Sequence, residues 1–277
     1  MAVATDTLER IVHAALAEDI GDGDVTTEAT VPADAVGTAA ILVKEPGVVC
    51  GLRAVEATFR ALDPEIAFEA FAHDGDVVEA PAVVARVSGS QRAILTGERV
   101  ALNFLGRLSG IATLTRQYVD AVSGTAAAVL DTRKTTPGLR ALEKYAVASG
   151  GGRNHRFGLD DAVLIKDNHL RAAGSISDAV ELVRRASGGL PVEVECDTLE
   201  QVAEAVEAGV DAILLDNMMP HELREAVLLV DGRSRLEASG GVTLETIHAV
   251  AETGVDEISV GALTHSARSL DVSLELT

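Results

Sequence analysis

From residue 127 onward the chain repeats one pattern: a short aliphatic run, a polar break, a helical stretch, then the next run. The runs fall at 127–131, 162–166, 192–196, 212–216, 236–239 and 257–261, mostly 20 to 30 residues apart. Each is rich in Ala, Val, Leu or Ile and reads as a strand buried on both faces. The segments between them carry helix signals. Thr198 with Gln201, and Ser175 with Asp178, have capping-box spacing. Pro137 suits a first helical turn, and Gly150 and Gly209 suit helix stops. Strand–helix alternation of this kind builds a parallel sheet, closed or open. The polar residues decide between the two. Asp131-Thr132-Arg133, Lys166-Asp167-Asn168-His169, Glu195, Asp216-Asn217, Ser239-Gly240-Gly241 and Gly261 all stand at strand C-terminal ends. In a barrel those ends converge on one mouth, whereas a doubly wound sheet confines its site to one switch point. The pattern predicts an incomplete, TIM-like α/β barrel of about six to seven strands.

The first hundred residues read differently. Runs at 39–43, 66–72 and 83–88 are strand-like, with turn signals at Glu45-Pro46-Gly47 and Asp63-Pro64 and a helical stretch at 53–61. They predict a smaller α/β domain that leads by a helix over 91–109 into the barrel. On that helix Arg92, Thr96, Arg99 and Asn103 recur at helical spacing opposite Leu95, Leu102 and Leu105, which by itself reads as a solvated face. Leu270–Leu276 alternates as a strand does and can return to either domain.

Composition narrows the function classes. The 277 residues suffice for one large α/β domain with a smaller partner, and 47% apolar content excludes a disordered chain. A net charge of −20, no Trp and 3% aromatic residues argue against a nucleic-acid partner, which needs cations and stacking platforms. No apolar run approaches the ~18 residues of a membrane span. The start of the chain is acidic and amphipathic, unlike a secretory leader. Cys50 and Cys196 match no metal spacing and read as reduced, buried thiols, so a cytoplasmic protein is expected.

Against that acidic background, residues 131–169 form a basic island. They hold seven Lys or Arg (Arg133, Lys134, Arg140, Lys144, Arg153, Arg156, Lys166) and five acids, including three of the four lysines in the chain. Fixed positive charge inside a negative field attracts a small, highly anionic ligand. Arg133, Lys134 and Lys166 follow two strands, and Arg153, His155 and Arg156 sit in the Gly-rich loop between them. Guanidinium forks pair bidentately with carboxylates and phosphates; the plainer alternative is pairing with the chain's many acids. Glu195 and Asp216 end successive strands. They suit either Mg²⁺, which takes one or two carboxylates plus substrate phosphates, or pairing with Lys134 and Lys166. The Ser239-Gly240-Gly241 turn, with Gly261 ending the next strand, has the form of a barrel phosphate grip, and His265 stands four residues on.

The island resembles the type II phosphoribosyltransferases, and among them the quinolinate phosphoribosyltransferase (nicotinate-nucleotide pyrophosphorylase, carboxylating) family. The likeness extends to LAEDIGDGDVTT, GERVALNFLGRLSGIAT, EVECDTLEQ, ILLDNM, LEASGGV and ISVGALTHSA, nearly end to end. It implies joining of quinolinate to phosphoribosyl pyrophosphate with Mg²⁺, giving nicotinate mononucleotide, pyrophosphate and CO₂ in de novo NAD synthesis. It implies an N-terminal α/β sandwich over 1–107, joined by 268–277, and a barrel over 108–267. It also implies a homodimer whose active sites are shared between chains, with no membrane or nucleic-acid partner. By resemblance, Arg133, His155, Arg156 and Lys166 hold the quinolinate carboxylates, and Arg99 reaches in from the other subunit. Lys134, Glu195 and Asp216 take the catalytic positions, the two carboxylates facing the ribose and Mg²⁺. Arg140, Ser239, Gly240, Gly261 and His265 match the pyrophosphate and 5′-phosphate contacts. Rival readings are a relative associated with molybdate transport, a Schiff-base lyase using Lys134 or Lys166, and an anion-binding protein without turnover. Arg153 and Lys144 receive no role.

Overall fold

A computed structural model describes residues 3–277. In chain order the elements are α1 (Thr5–Ile20), α2 (Val25–Thr30), β1 (Val36–Val43), β2 (Gly47–Val48), α3 (Leu52–Leu62), β3 (Ala67–Ala70), β4 (Val77–Val78), β5 (Ala82–Ser90) and α4 (Gln91–Ala121). Then come β6 (Ala128–Leu130), α5 (Arg140–Ser149), β7 (Val163–Ile165), α6 (Asp167–Ala173), α7 (Ile176–Ala186), β8 (Val192–Cys196) and α8 (Leu199–Glu207). The chain ends with β9 (Ala212–Asp216), α9 (Pro220–Val230), β10 (Arg235–Ser239), α10 (Ile247–Ala251), β11 (Glu257–Ser259), α11 (Ala262–His265) and β12 (Val272–Leu276). They form two compact units. One holds the chain up to residue 116 with 135–151 and 263–277; the other holds 117–134 and 152–262. Among the described residues, no helix is long and apolar enough to cross a membrane.

The first unit is built on an antiparallel sheet in the order β12-β1-β5-β3. The C-terminal strand adds to its edge, with Ile41 opposite Leu274 and Val43 opposite Val272. Ile41, Val43, Val84, Val87, Phe59, Ile94 and Leu105 close its core. Each such side chain contributes about 1.5–3 kcal/mol through burial. Helix α4 runs twelve residues beyond the expected end at 109. Gly106 and Gly110, which weaken a helix on propensity, are sites of close approach here. A Cβ on Gly110 would lie 1.9 Å from the Arg268 carbonyl oxygen, and one on Gly106 2.9 Å from that of Leu270. The returning chain lies on this glycine stripe, and the Leu270 N–H donates to the Gly106 carbonyl at 2.9 Å. Packing thus overrides propensity. Pro137, expected in a first helical turn, instead lies in a turn closed by Leu139 N–H to the Thr136 carbonyl, with Gly138 at φ +82°; α5 begins only at Arg140.

The second unit is an incomplete α/β barrel. Its six parallel strands run β6-β11-β10-β9-β8-β7. The open edge at β6 is partly covered by the segment at Arg153. Arg153 N–H donates to the Val129 carbonyl at 2.8 Å, and the Arg153 carbonyl accepts from Asp131 N–H at 3.1 Å, a parallel bridge to β6. This backbone pairing is what Arg153 does. The expected caps are present: Ser175 Oγ accepts from Asp178 N–H at 3.0 Å, and Thr198 and Gln201 form the reciprocal box. Register aligns the strand ends, with Ser239 opposite Asp216, Cys196 opposite Leu215, Ile165 opposite Val194 and Ser259 opposite Leu130. Residues just after those pairs therefore share one rim.

Candidate active site

The rim carries the charges in order. Lys166 follows β7, and its ammonium donates to Glu195 Oε2 at the end of β8. The Lys166 backbone N–H donates to His169 Nδ1 at 2.9 Å, which fixes the start of α6. On the next strand Asp216 accepts from Asn217 Nδ2 at 2.6 Å. Asn217 turns the chain at φ 55° and donates its N–H to the Ser239 carbonyl at 2.9 Å. Gly240 packs directly on this turn. At φ +100°, a Cβ there would meet Asn217 Oδ1 at 2.2 Å and the Asn217 backbone nitrogen at 2.9 Å, so only glycine fits.

The basic loop is tied to the barrel by a buried acid. Asp131, fully buried at the end of β6, accepts from His155 N–H at 2.9 Å and from Asn154 Nδ2 at 2.7 Å. Arg156 donates from Nη1 to the Ala162 carbonyl at 3.0 Å. Burial, and then the nearby charge of Arg133, lower the Arg156 pKa, while Glu193 and Asp161 oppose them. Two guanidinium groups held close enough to repel each other make a site for a ligand with more than one negative charge. Asp161 ties down the loop tip by accepting the N–H groups of Phe157 and Gly158. Burial works against its ionisation, but these bonds outweigh burial and hold its carboxyl below the ordinary range.

Inside the barrel the His155 ring meets two carboxylates. Its Nε2 lies 3.1 Å from Glu193 Oε2 on β8 and 3.2 Å from Glu237 Oε2 on β10. Burial by itself lowers the imidazole pKa, but hydrogen bonds and charge from the two acids outweigh it and raise it to about 10. Burial, reinforced by Glu193 and opposed by His155 and Ser259, raises Glu237. His155 and Glu237, both raised, thus compete for protons across one contact. His155 Nδ1 accepts the Arg156 backbone N–H at 2.7 Å. With Nδ1 accepting, the ring N–H stands on Nε2, toward the two carboxylates. These three residues also bring potential metal-ligand atoms within 4.8 Å of one another. With Nδ1 accepting and Nε2 carrying the ring proton, the ring has no lone pair left for a metal. Glu195 and Asp216, on neighbouring strand ends, offer the oxygen donors that a hard divalent cation takes.

Of the residues anticipated, Arg133, Lys134, His155, Arg156, Lys166, Glu195, Asp216, Ser239, Gly240 and Gly261 belong to the barrel unit. Arg99, Arg140 and His265 belong to the first unit. Arg99 is exposed on α4 and, with Arg10, Asn103, Thr136 and Leu139, lines a cavity of about 750 Å³. Arg140 Nε donates to Thr135 Oγ1 at 3.0 Å, and the exposed His265 contacts Ser266 Oγ at 2.7 Å. Lys144, without a role on sequence grounds, is buried in α5. Sequence reading passed over Asp131, Glu193 and Glu237 as ligand-positioning groups. The signal for the last two is present: in Val192–Cys196 and Arg235–Ser239 an acid occupies a position that a doubly buried strand normally gives to an aliphatic residue.

The fold and rim define an α/β-barrel protein whose strand C-termini gather charges suited to a small polyanion. Comparison with known proteins narrows the class. The model of the quinolinate phosphoribosyl transferase N-terminal domain matches residues 24–109, and that of the C-terminal domain matches 111–275. A probable nicotinate-nucleotide pyrophosphorylase [carboxylating] of Bacillus subtilis is 44% identical over 98% of this chain and 93% of its own. One from Synechocystis is 48% identical over 94% and 90%. The crystal structure of nicotinate-nucleotide pyrophosphorylase from Ehrlichia chaffeensis superposes with a TM-score of 0.94 at 41% identity, covering 100% of both chains. The chain belongs to the quinolinate phosphoribosyltransferase family.

Proposed function

We propose that the protein transfers the phosphoribosyl group of phosphoribosyl pyrophosphate to quinolinate with decarboxylation, giving nicotinate mononucleotide, pyrophosphate and CO₂ in de novo NAD synthesis. The observation that carries the reading is that Arg156 feels the charge of Arg133 in the same barrel unit whose rim carries the Lys166–Glu195 ion pair. Quinolinate is a dianion, and two repelling guanidinium groups are relieved when its carboxylates lie between them. Lys166 completes the quinolinate contacts in this reading, and His155 belongs to the same subsite. Ser239, Gly240, Gly261 and His265 receive the 5′-phosphate, with glycine backbone N–H groups free to approach it.

Ribosyl transfer builds positive charge on the sugar, and the Glu195 and Asp216 carboxylates face it, while Lys134 and Arg140 hold the departing pyrophosphate. Glu195 and Asp216 are also the residues that would hold Mg²⁺, which supplies charge neutralisation for pyrophosphate. After the ring nitrogen is alkylated it is cationic; the adjacent C–C bond then breaks to release CO₂, leaving a ylide that this charge stabilises and that takes up a proton from water to give the product. The main demand on the protein is to hold the ring in place. Arg99 and Arg140 serve the site of a neighbouring chain in a homodimer; the exposure of Arg99 beside an open cavity supports that reading. A domain division at 1–107 with 268–277, and 108–267, completes it, as does a cytoplasmic setting, in which the two unpaired cysteines stay reduced.

Incubation with quinolinate, phosphoribosyl pyrophosphate and Mg²⁺ is expected to release CO₂ and nicotinate mononucleotide. Equal activity on nicotinic acid refutes the dicarboxylate reading, and a borohydride-trapped adduct favours a lyase instead. Arg133→Ala is expected to weaken quinolinate binding by about 2–5 kcal/mol, the scale for unpairing a buried charge. Mixed Arg99→Ala and Lys134→Ala chains are expected to regain activity, and a mixture that stays dead argues against a shared site.

A further inference from the structure

The requirement that the ring be held in place directs attention to what holds Arg156. Its guanidinium leaves a loop, 152–158, that is irregular apart from the bridge at Arg153, yet the backbone N–H of Arg156 is bonded to His155 Nδ1 at 2.7 Å. A histidine ring fixes its neighbour's amide only if its own rotation is stopped. Here the opposite nitrogen is held between Glu193 and Glu237, at 3.1 and 3.2 Å, on strands β8 and β10 of the barrel. Both acids are buried, Glu237 to 1% and Glu193 to 7% exposure, and the second oxygen of each makes no hydrogen bond. Two sealed carboxylates facing each other cost folding free energy. Apart from Ser259 beside Glu237, the His155 ring is the side chain these two acids engage, and one oxygen of each is left over.

We propose that Glu193 and Glu237 are positioning residues for quinolinate binding: they hold the His155 ring with Nε2–H toward the barrel interior, so that Nδ1 anchors the Arg156 backbone and thereby places its guanidinium. In this arrangement both ring nitrogens of His155 are committed within the protein, so His155 acts through Arg156. The inference rests on the reading of Arg156 as a quinolinate contact.

The test compares Glu193→Ala and Glu237→Ala with Glu193→Gln and Glu237→Gln. Alanine removes an acceptor for Nε2–H, whereas the glutamine carbonyl restores one. The alanine variants are expected to raise KM for quinolinate about tenfold or more and to leave KM for phosphoribosyl pyrophosphate within about twofold, with the glutamine variants recovering most of the loss. Active alanine variants with unchanged quinolinate KM, or with both KM values raised alike, overturn the proposal. Should an alanine variant not fold, hydrogen exchange at the Arg156 amide decides. It is expected to be slow in the native protein and in the glutamine variants and to accelerate in His155→Phe; unchanged exchange in His155→Phe overturns the anchoring. Arg156→Ala separates the two levels. If it leaves quinolinate KM unchanged, the reading of Arg156 fails; if it raises KM while the glutamate variants do not, only this inference fails.

Discussion

The ion pair between Arg107 and Glu143 is the strongest single test of how the first unit holds its loops. Glu143 is fully buried, and its Oε1 accepts from Arg107 Nη2 at 2.8 Å, Arg107 Nε at 3.2 Å and Thr136 Oγ1 at 2.8 Å. Its Oε2 accepts from Thr136 N–H at 3.0 Å. Arg107 also donates to the carbonyls of Ala267 and Thr264. Glu143→Ala removes the carboxylate that Arg107 is paired with among the described residues and strands the Thr136 amide. Breaking a buried pair costs about 3–5 kcal/mol. Arg107 keeps its two carbonyls and its side chain is 25% exposed, so the lower end applies, about 3 kcal/mol. For a chain of this size that lowers Tm by about 6–12 °C. Glu143→Gln keeps the shape and an acceptor and is expected to cost less, about 1–2 kcal/mol. Equilibrium unfolding in guanidinium chloride of Glu143→Ala, Arg107→Ala and the double variant gives the coupling directly, expected near 2 kcal/mol. A coupling below about 0.5 kcal/mol would falsify the clamp and show that the pair's geometry contributes shape but no net energy.

Gly240→Ala is expected to destabilise by about 2–4 kcal/mol, from left-handed backbone strain plus the collision with Asn217, and to raise KM for phosphoribosyl pyrophosphate more than for quinolinate; a neutral variant contradicts the close approach. Because Asp161 has a depressed folded-state pKa, the stability it adds is present above the ordinary carboxylate range, near pH 4, and is lost as pH falls through its lower folded value. Amide exchange at Phe157 and Gly158, corrected for intrinsic pH effects, should therefore speed up on acidification, and Asp161→Asn should abolish that response. Burial pushes the Cys196 thiol up to about 12 and raises Cys50 as well, and both side chains are fully buried. Neither should react with a maleimide in the native protein, and rapid labelling at neutral pH would show that the cores open.

The repeat of aliphatic runs and capping residues was enough to read the parallel α/β barrel, because strand burial and helix capping are local and leave their mark at fixed spacing. The rim residues Arg133, Lys166, Glu195 and Asp216 were legible for the same reason: a charge at the end of a buried strand has few other places to be. Four things were decided only by tertiary structure. The helix expected to end at 109 continues through Gly110 to 121, and the returning chain at 268–270 takes the space that Gly106 and Gly110 leave open. Arg153 serves through its backbone, as a bridge to β6, and no side-chain pattern reports that. Asp131 turned from one more acid in a basic island into the anchor of its loop. Glu193 and Glu237 lie 44 residues apart in sequence, and only the closing of the barrel brings both onto one imidazole. A carboxylate's effect falls with distance and with the dielectric around it, and both are properties of the folded chain, so the sequence supplied the charges and the fold determined which of them meet.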